Sequence, residues 1–322
     1  MNASSSALRI AKSEASPLPP RIGIGADGDR LADAGSLACI VPVENRMQVL
    51  QAELSLLQGE LDSLRRRDES LNYYMLRMDE EMRLAARLQQ DFLPKSLPQL
   101  GRVHFHTLFR PAGYVSGDLY DVMRLDETHV GFYIADAVGH GIPAALLTMF
   151  IKNALVTKEI TAGKYRLLRP GETMAKLNDT LIGQKLSHAT FATALYGTID
   201  TSTLRVSFAA GGHPSPVLIR RDGTLIDAHA EGSLLGIFDN EQFADAGVQL
   251  ESGDKLFIYT DGVEVAFPAG QTTDTHRWRE ELYNRRHLPA AELLRELSEQ
   301  IDRSSGSLLP KDDLTVIVIE VE

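Results

Sequence analysis

The sequence predicts an α+β protein, in which a layered domain of antiparallel sheets covered by helices follows one long helix. Two observations predict it. An apolar seam with helical spacing runs from Val43 to Phe92, and beyond Pro98 short strand-like runs alternate irregularly with helical stretches. A third observation concerns chemistry. Four aspartate motifs, Ser116-Gly117-Asp118-Leu119-Tyr120-Asp121, Asp136-Ala137-Val138-Gly139-His140-Gly141, Tyr259-Thr260-Asp261-Gly262 and Asp312-Asp313-Leu314-Thr315, sit beside apolar or β-branched runs, where strand ends and turns fall.

Residues 1–42 are rich in Ser, Ala, Pro and Gly with little periodicity, and are expected to form a flexible N-terminal tail. Residues 43–93 change character. Val43, Met47, Leu50, Leu54, Leu57, Leu61, Leu64, Leu71, Met75, Met78, Met82, Ala85 and Phe92 recur in steps of three and four, interrupted only by Asp68 and Gln89. No proline lies inside, and Gly59 is the sole glycine, so a continuous helix of about seven heptads is allowed. At 1.5 Å per residue it would reach roughly 75 Å. A stripe of that length needs a covering partner, most simply the same helix of a second protomer, which predicts a coiled-coil homodimer. Packing of the stripe on the chain's own domain is the alternative. Asp68 within the seam would fix register or mark a weak point for switching.

Pro94 and Pro98 end the helix, and residues 100–322 form the second region. Val103–Phe109, His129–Ala135, Phe191–Ile199, Leu204–Ala209, Pro216–Ile219, Lys255–Thr260 and Leu314–Glu320 read as strands. Ile142–Glu159, Glu172–Leu186 and Ala290–Arg303 read as helices. This order fits sheets covered by helices better than regular βαβ winding.

Composition narrows the function. The chain has 322 residues, 43% hydrophobic and 24% charged, with a formal net charge of −11, which argues against a nucleic-acid partner. Its one basic run, Arg65-Arg66-Arg67, is followed by Asp68-Glu69 and reads as a solvated helix face. The lone cysteine, Cys39, has no disulfide partner within the chain, consistent with a reducing setting. No stretch is apolar enough for a signal peptide or membrane span, so a cytoplasmic protein without membrane insertion is expected.

Carboxylates gathered into one pocket require protons or cations to neutralise them, and a hard, oxygen-preferring dication suits such a donor set. Asp136 closes an apolar run and leads into a glycine turn where backbone can approach a ligand. There its carboxylate can bridge two cations, with the Ala137 carbonyl beside it. Singly, each Asp-Gly element is weak evidence, because turns use these residues constantly.

Together the motifs resemble those of the PPM-type metal-dependent Ser/Thr phosphatases, in particular their bacterial stress-response and sporulation branch (SpoIIE/RsbU-type). The resemblance covers roughly Arg83 to Val321. It also rests on Ala86-Arg-Leu-Gln-Gln-Asp-Phe-Leu-Pro, Ala210-Gly-Gly-His-Pro-Ser-Pro and Leu235-Gly-Ile. It implies an α-β-β-α sandwich phosphatase domain with two Mn²⁺ or Mg²⁺ ions at one edge of the paired sheets, lowering the pKa of a water that attacks phosphoserine or phosphothreonine. It further implies that Asp136, Asp261 and Asp312 ligate one ion, and Asp136, the Ala137 carbonyl and Asp118 the other. Asp121 and Asp313 would be supporting residues. The sequence departs from the family's usual pattern at Ser116, where Gly is common, and at Ala137-Val138. The implied substrate is a phosphorylated STAS-domain anti-anti-sigma protein, with an upstream sensor or receiver partner acting through the helix.

His140 and His213 read as turn and loop residues before proton donors. Arg110 could grip a phosphate or form a surface ion pair. Two other functions compete: a catalytically silent dimeric regulator with a phosphatase-like fold, and a metal-dependent hydrolase of another phosphoester such as a nucleotide. The chain lacks a phosphate-cradling Gly-rich loop with a Lys, which weakens the latter.

Overall fold

The computed structural model of the protein describes residues 43–161, 163–186, 191–267, 277–305 and 311–322. The tail reading for residues 1–42, and Cys39 with it, lies outside the described residues. The chain divides into two compact units, Met1–Arg67 and Asp68–Glu322.

Helix α1 runs from Val43 to Phe92, as the spacing predicts. Within the first unit its apolar residues face solvent: Leu50 is 64% exposed and Leu57 59%. Asp68 accepts a hydrogen bond from Asn72 Nδ2 one turn on, at 3.3 Å.

In the second unit, two five-stranded sheets carry the fold. One has the order β1-β12-β11-β8-β9, built from Val103–Arg110, Leu314–Val321, Lys255–Tyr259, Val217–Ile219 and Leu225–Asp227. The other has the order β10-β7-β6-β3-β2, built from Ala246–Gln249, Arg205–Gly211, Ala192–Asp200, His129–Ala137 and Asp118–Arg124. All pairings within both sheets are antiparallel.

Strand alternation sorts side chains into three buried layers. Ile317, Ile319 and Val321 from β12 meet Phe132 and Ile134 from β3 and Phe208 from β7 in a cluster shared by the two sheets. The intervening Val316 and Val318 face the other way, against Trp278 and Leu282 of α5 (Arg277–Arg285) and Leu293, Leu297 and Ile301 of α6 (Ala290–Ser305). Tyr133, Ala135 and Ala137 of β3 likewise face Leu147 and Ile151 of α2 (Ile142–Ala154) and Met174 and Leu177 of α3 (Pro170–Gly183). Both faces of β3 and β12 are therefore buried, which is why these strands read as continuous apolar runs.

Several boundaries differ from expectation. The predicted helix Ile142–Glu159 stops at Ala154, because Leu155 turns extended (φ −70°, ψ 110°) and the β-branched pair Val156-Thr157 leads into a hairpin. That hairpin pairs β4 (Lys158–Thr161) with β5 (Lys164–Leu167). Helix α3 begins at Pro170, two residues before the expected start, since proline is tolerated in a first helical turn. Strands β2, β4, β5, β9 and β10, and helices α4 (Gly262–Ala266) and α5, have no counterpart among the expected elements. Each is short or lacks a clean periodicity.

Candidate functional site

The β2–β3 ladder sets Asp118 directly opposite Asp136, and β6 sets Thr193 opposite Asp136 on its other side. Opposed residues in a ladder project from the same face, so this register brings the two carboxylates together. The first sheet contributes Asp261, two residues after β11, and Asp312, two residues before β12. Their strands are neighbours, and Thr260 N–H donates to the Thr315 carbonyl at 3.0 Å. The chains are so close here that a Cβ on Gly262 would fall 1.9 Å from the Asp313 carbonyl oxygen, which explains the glycine after Asp261.

Asp118 ties the sheets together. It is 1% exposed, and its Oδ2 accepts hydrogen bonds from Thr260 Oγ1 (2.8 Å) and Thr315 Oγ1 (2.7 Å). Burial, and then the charge of Asp136, still push its pKa well above the usual carboxylate range. Asp136 is raised to about 7 by burial and by Asp261 and Asp312, and its carboxyl also meets that of Asp118. Asp261 is raised by burial and by Asp312. Among the described residues, none of the four carboxylates has an ion-pair partner.

Such an all-oxygen donor set fits a hard dication in chemistry and neighbourhood. It is not a finished coordination shell, since among the described residues no three His, Cys, Asp or Glu side chains stand arranged to hold an ion. Mutual repulsion between carboxylates opposes such an array until a cation draws them in. The Ala137 carbonyl lies beside them, and a Cβ on Gly117 would come within 3.2 Å of it.

The supporting residues have defined tasks. Asp313 accepts hydrogen bonds from Ala112 N–H (Oδ1, 2.7 Å) and Gly117 N–H (Oδ2, 2.6 Å), pinning the loop that delivers Asp118. Asp121 accepts a hydrogen bond from Lys152 Nζ at 2.7 Å. Arg110 is occupied by Asp302 (2.6 Å) and Ser298, which favours the ion-pair reading over a phosphate grip. His140 is exposed on its turn, whereas His213 is 5% exposed and burial pushes its pKa down to about 3.

In the sequence Gln89 breaks the seam and lies in the motif Ala86-Arg-Leu-Gln-Gln-Asp-Phe-Leu-Pro, but neither gives it a bonding partner. It is 2% exposed, and it donates to the Ser116 carbonyl (2.7 Å) while accepting from Ser116 N–H (2.8 Å). The last turns of α1 are therefore bonded to the segment that carries Asp118, and Tyr114 adds a hydrogen bond to Asp79. Thr260 and Thr315 were also missed as functional residues, although both lie inside the motifs quoted for their aspartates.

Two clefts flank the carboxylates. One of about 450 Å³ is lined by Thr193, His213, Tyr259, Asp261 and Arg279. The other, about 530 Å³, is lined by Met82, Tyr114, His140, Ile142 and Asp312. Arg279 in the first is held by Asp227 at 2.7 Å.

This architecture is similar to solved phosphatase domains. The SiaA-PP2C domain of Pseudomonas aeruginosa matches with a TM-score of 0.66 at 20% identity, covering 77% of this chain and 98% of that one. The PP2C phosphatase domain of SpoIIE from Bacillus subtilis, solved with a fragment of its regulatory domain, matches at 0.55 and 21% identity, covering 70% and 62%. These likenesses establish a PP2C phosphatase-domain fold. In sequence, the chain is 30% identical over 184 residues to phosphoserine phosphatase RsbU of Bacillus subtilis (strain 168), covering 57% of this chain and 53% of the relative. It is 29% identical over 193 residues to phosphoserine phosphatase RsbP of the same organism, covering 59% and 46%. The chain thus spans about half the length of these relatives. The family model described as Stage II sporulation protein E (SpoIIE) matches residues 126–322, a span that holds Asp136, Asp261 and Asp312 and leaves Asp118 just outside. Covering well over half of the chain, and agreeing with the fold of its structural neighbours, that match establishes that the chain belongs to the SpoIIE family.

Proposed function

We propose that the chain is a metal-dependent protein serine/threonine phosphatase, with Asp118, Asp136, Asp261, Asp312 and the Ala137 carbonyl holding its ions. The observation that carries this reading is the convergence of four carboxylates from two sheets, none of them ion-paired to a side chain among the described residues. Two bound Mn²⁺ or Mg²⁺ ions would supply charge neutralisation at the phosphate and a lowered pKa for the attacking water. The chain's own residues place that chemistry. The ladder fixes Asp118 against Asp136, the hydroxyls of Thr260 and Thr315 orient Asp118, and Asp313 secures the loop before it.

The substrate we infer is a phosphorylated STAS-domain regulatory protein in the cytoplasm, a reading supported by the similarity to RsbU and RsbP. Phosphate release from a phosphoserine STAS protein, measured with Mn²⁺, with chelator, and for Asp261→Asn, tests it. Turnover that vanishes in both controls is expected. Turnover that survives chelation would overturn it. A non-catalytic regulator is the competing reading, and it draws on one observation, the absence among the described residues of a finished ion-holding array. A wild-type protein that binds Mn²⁺ neither in the presence nor in the absence of substrate would favour it.

The exposed seam of α1 supports a coiled-coil homodimer, and the Gln89 bonds to Ser116 give helix geometry a route to Asp118, through which an upstream sensor or receiver would act. Deleting residues 1–85 should yield a monomer whose turnover differs severalfold from that of the full chain. Light scattering that still reports a dimer, or a monomer with unaltered turnover, would end this proposal.

A further inference from the structure

His213 has a place in the site that the reading above does not use. Its ring is 5% exposed, and Nδ1 lies 3.0 Å from Thr193 Oγ1. Thr193 stands opposite Asp136 in the β3–β6 ladder, so this bond reaches the carboxylate's own row of the sheet. On the other side the ring lines one cleft with Tyr259 and Asp261, and its Nε2 makes no hydrogen bond to the described residues. One side chain is therefore bonded to the row of Asp136 and stands in the cleft that Asp261 also lines. The backbone is shaped to allow it. Gly212 has φ +65° and donates its N–H to the Gly232 carbonyl at 2.8 Å, turning the chain so that the next residue enters between the sheets. A side chain on Gly212 would sit 2.5 Å from Leu234, so the turn admits only glycine without rearrangement.

We propose that His213 is a positioning residue, an intersheet strut that sets the separation of Asp136 from Asp261 and so lets both reach one ion. The inference rests on the metal-dependent reading above and extends it to a residue outside the ligand set. With the Thr193 hydroxyl donating to Nδ1, the ring proton would sit on Nε2, on the side of the Tyr259 main chain. Residues that orient metal ligands commonly change ion affinity by about 10–100-fold when removed, without touching the ion. A ring that only filled space would be replaceable by an apolar side chain of similar size.

The test is equilibrium Mn²⁺ binding by calorimetry on the full chain, with chelator-treated melting recorded in parallel, for wild type, His213→Leu, His213→Gln and Thr193→Val. Thr193→Val removes the same bond from its other end with almost no change of volume. Weakening of Mn²⁺ binding by about tenfold or more is expected in His213→Leu and Thr193→Val, with metal-free melting kept close to wild type. Gln, which can accept and donate on opposite sides, should recover most of the affinity. Wild-type affinity in a folded Thr193→Val protein would overturn the strut. So would affinity that falls only in variants whose metal-free melting falls equally, which would assign the ring to packing. Absence of Mn²⁺ uptake by the wild type would instead overturn the ion site itself, and the strut with it.

Discussion

Two sets of aspartates lie in the same domain and behave in opposite ways. Asp254 is 2% exposed yet fully served, by Arg220 Nη1 at 2.6 Å and by the N–H groups of Arg221 and Glu251. Asp313 takes two main-chain N–H groups, and Asp121 takes Lys152. Asp118 is as secluded and Asp136 is partly buried, and beyond the Thr260 and Thr315 hydroxyls on Asp118 what they meet is each other and the remaining carboxylates. The first set holds loops and strands in place. The second stores repulsion that protons or ions must relieve, and the difference lies in partners, not in burial.

The comparison is sharpened most by Asp136→Asn. It removes a charge from the crowded set while keeping the shape, so turnover should fall by at least about a thousandfold, as expected when a group acting on the transition state is lost. Metal-free stability should move the other way. Because the folded-state pKa of Asp136 is raised to about 7, the stability linked to its protonated form is fully present below about pH 4 and is lost as pH rises through about 7. The Asn variant, melted in chelator, should therefore match or exceed wild type at pH 8, with the advantage shrinking as pH falls below 7. A variant clearly less stable than wild type at pH 8 would place Asp136 with the structural set.

Asp313→Ala should do the reverse, costing about 1–3 kcal/mol for each main-chain donor left buried and unpaired, read from urea denaturation. Unchanged denaturation would show that solvent can replace the carboxylate there. The smallest effect is expected from Asp121→Asn, about 1 kcal/mol, since Asn still accepts from Lys152 and Lys152 also bonds the Phe92 carbonyl. A loss as large as that for Asp313 would mean that charge pairing, and not hydrogen bonding, holds α2 to β2.

Much of this was legible beforehand because it is local. Helical spacing marked α1 without tertiary information, and doubly buried strands such as β3 and β12 announced themselves as apolar runs. The aspartate motifs were visible because glycine and carboxylate recur together at strand ends. What failed to show was short or depended on pairing. Strand β2 begins inside the Ser-Gly-Asp motif itself, and the stretch after Ala154 leaves the helix because a hairpin partner exists for it.

Gln89 illustrates the same limit at the level of one residue. In the helical pattern it is only a polar interruption, and its two bonds to Ser116 exist because folding brings together residues 27 positions apart in the chain. By itself the sequence determined the helix, the strands that are buried on both faces, and the presence of carboxylates at strand ends, since each follows from neighbours along the chain. Only the tertiary structure decided which acids are relieved by partners and which face one another, and that His213 lies between the rows carrying Asp136 and Asp261. The physical reason is that ladder register and sheet stacking set through-space distances, and electrostatic and hydrogen-bond energies depend on those distances, not on spacing in the chain.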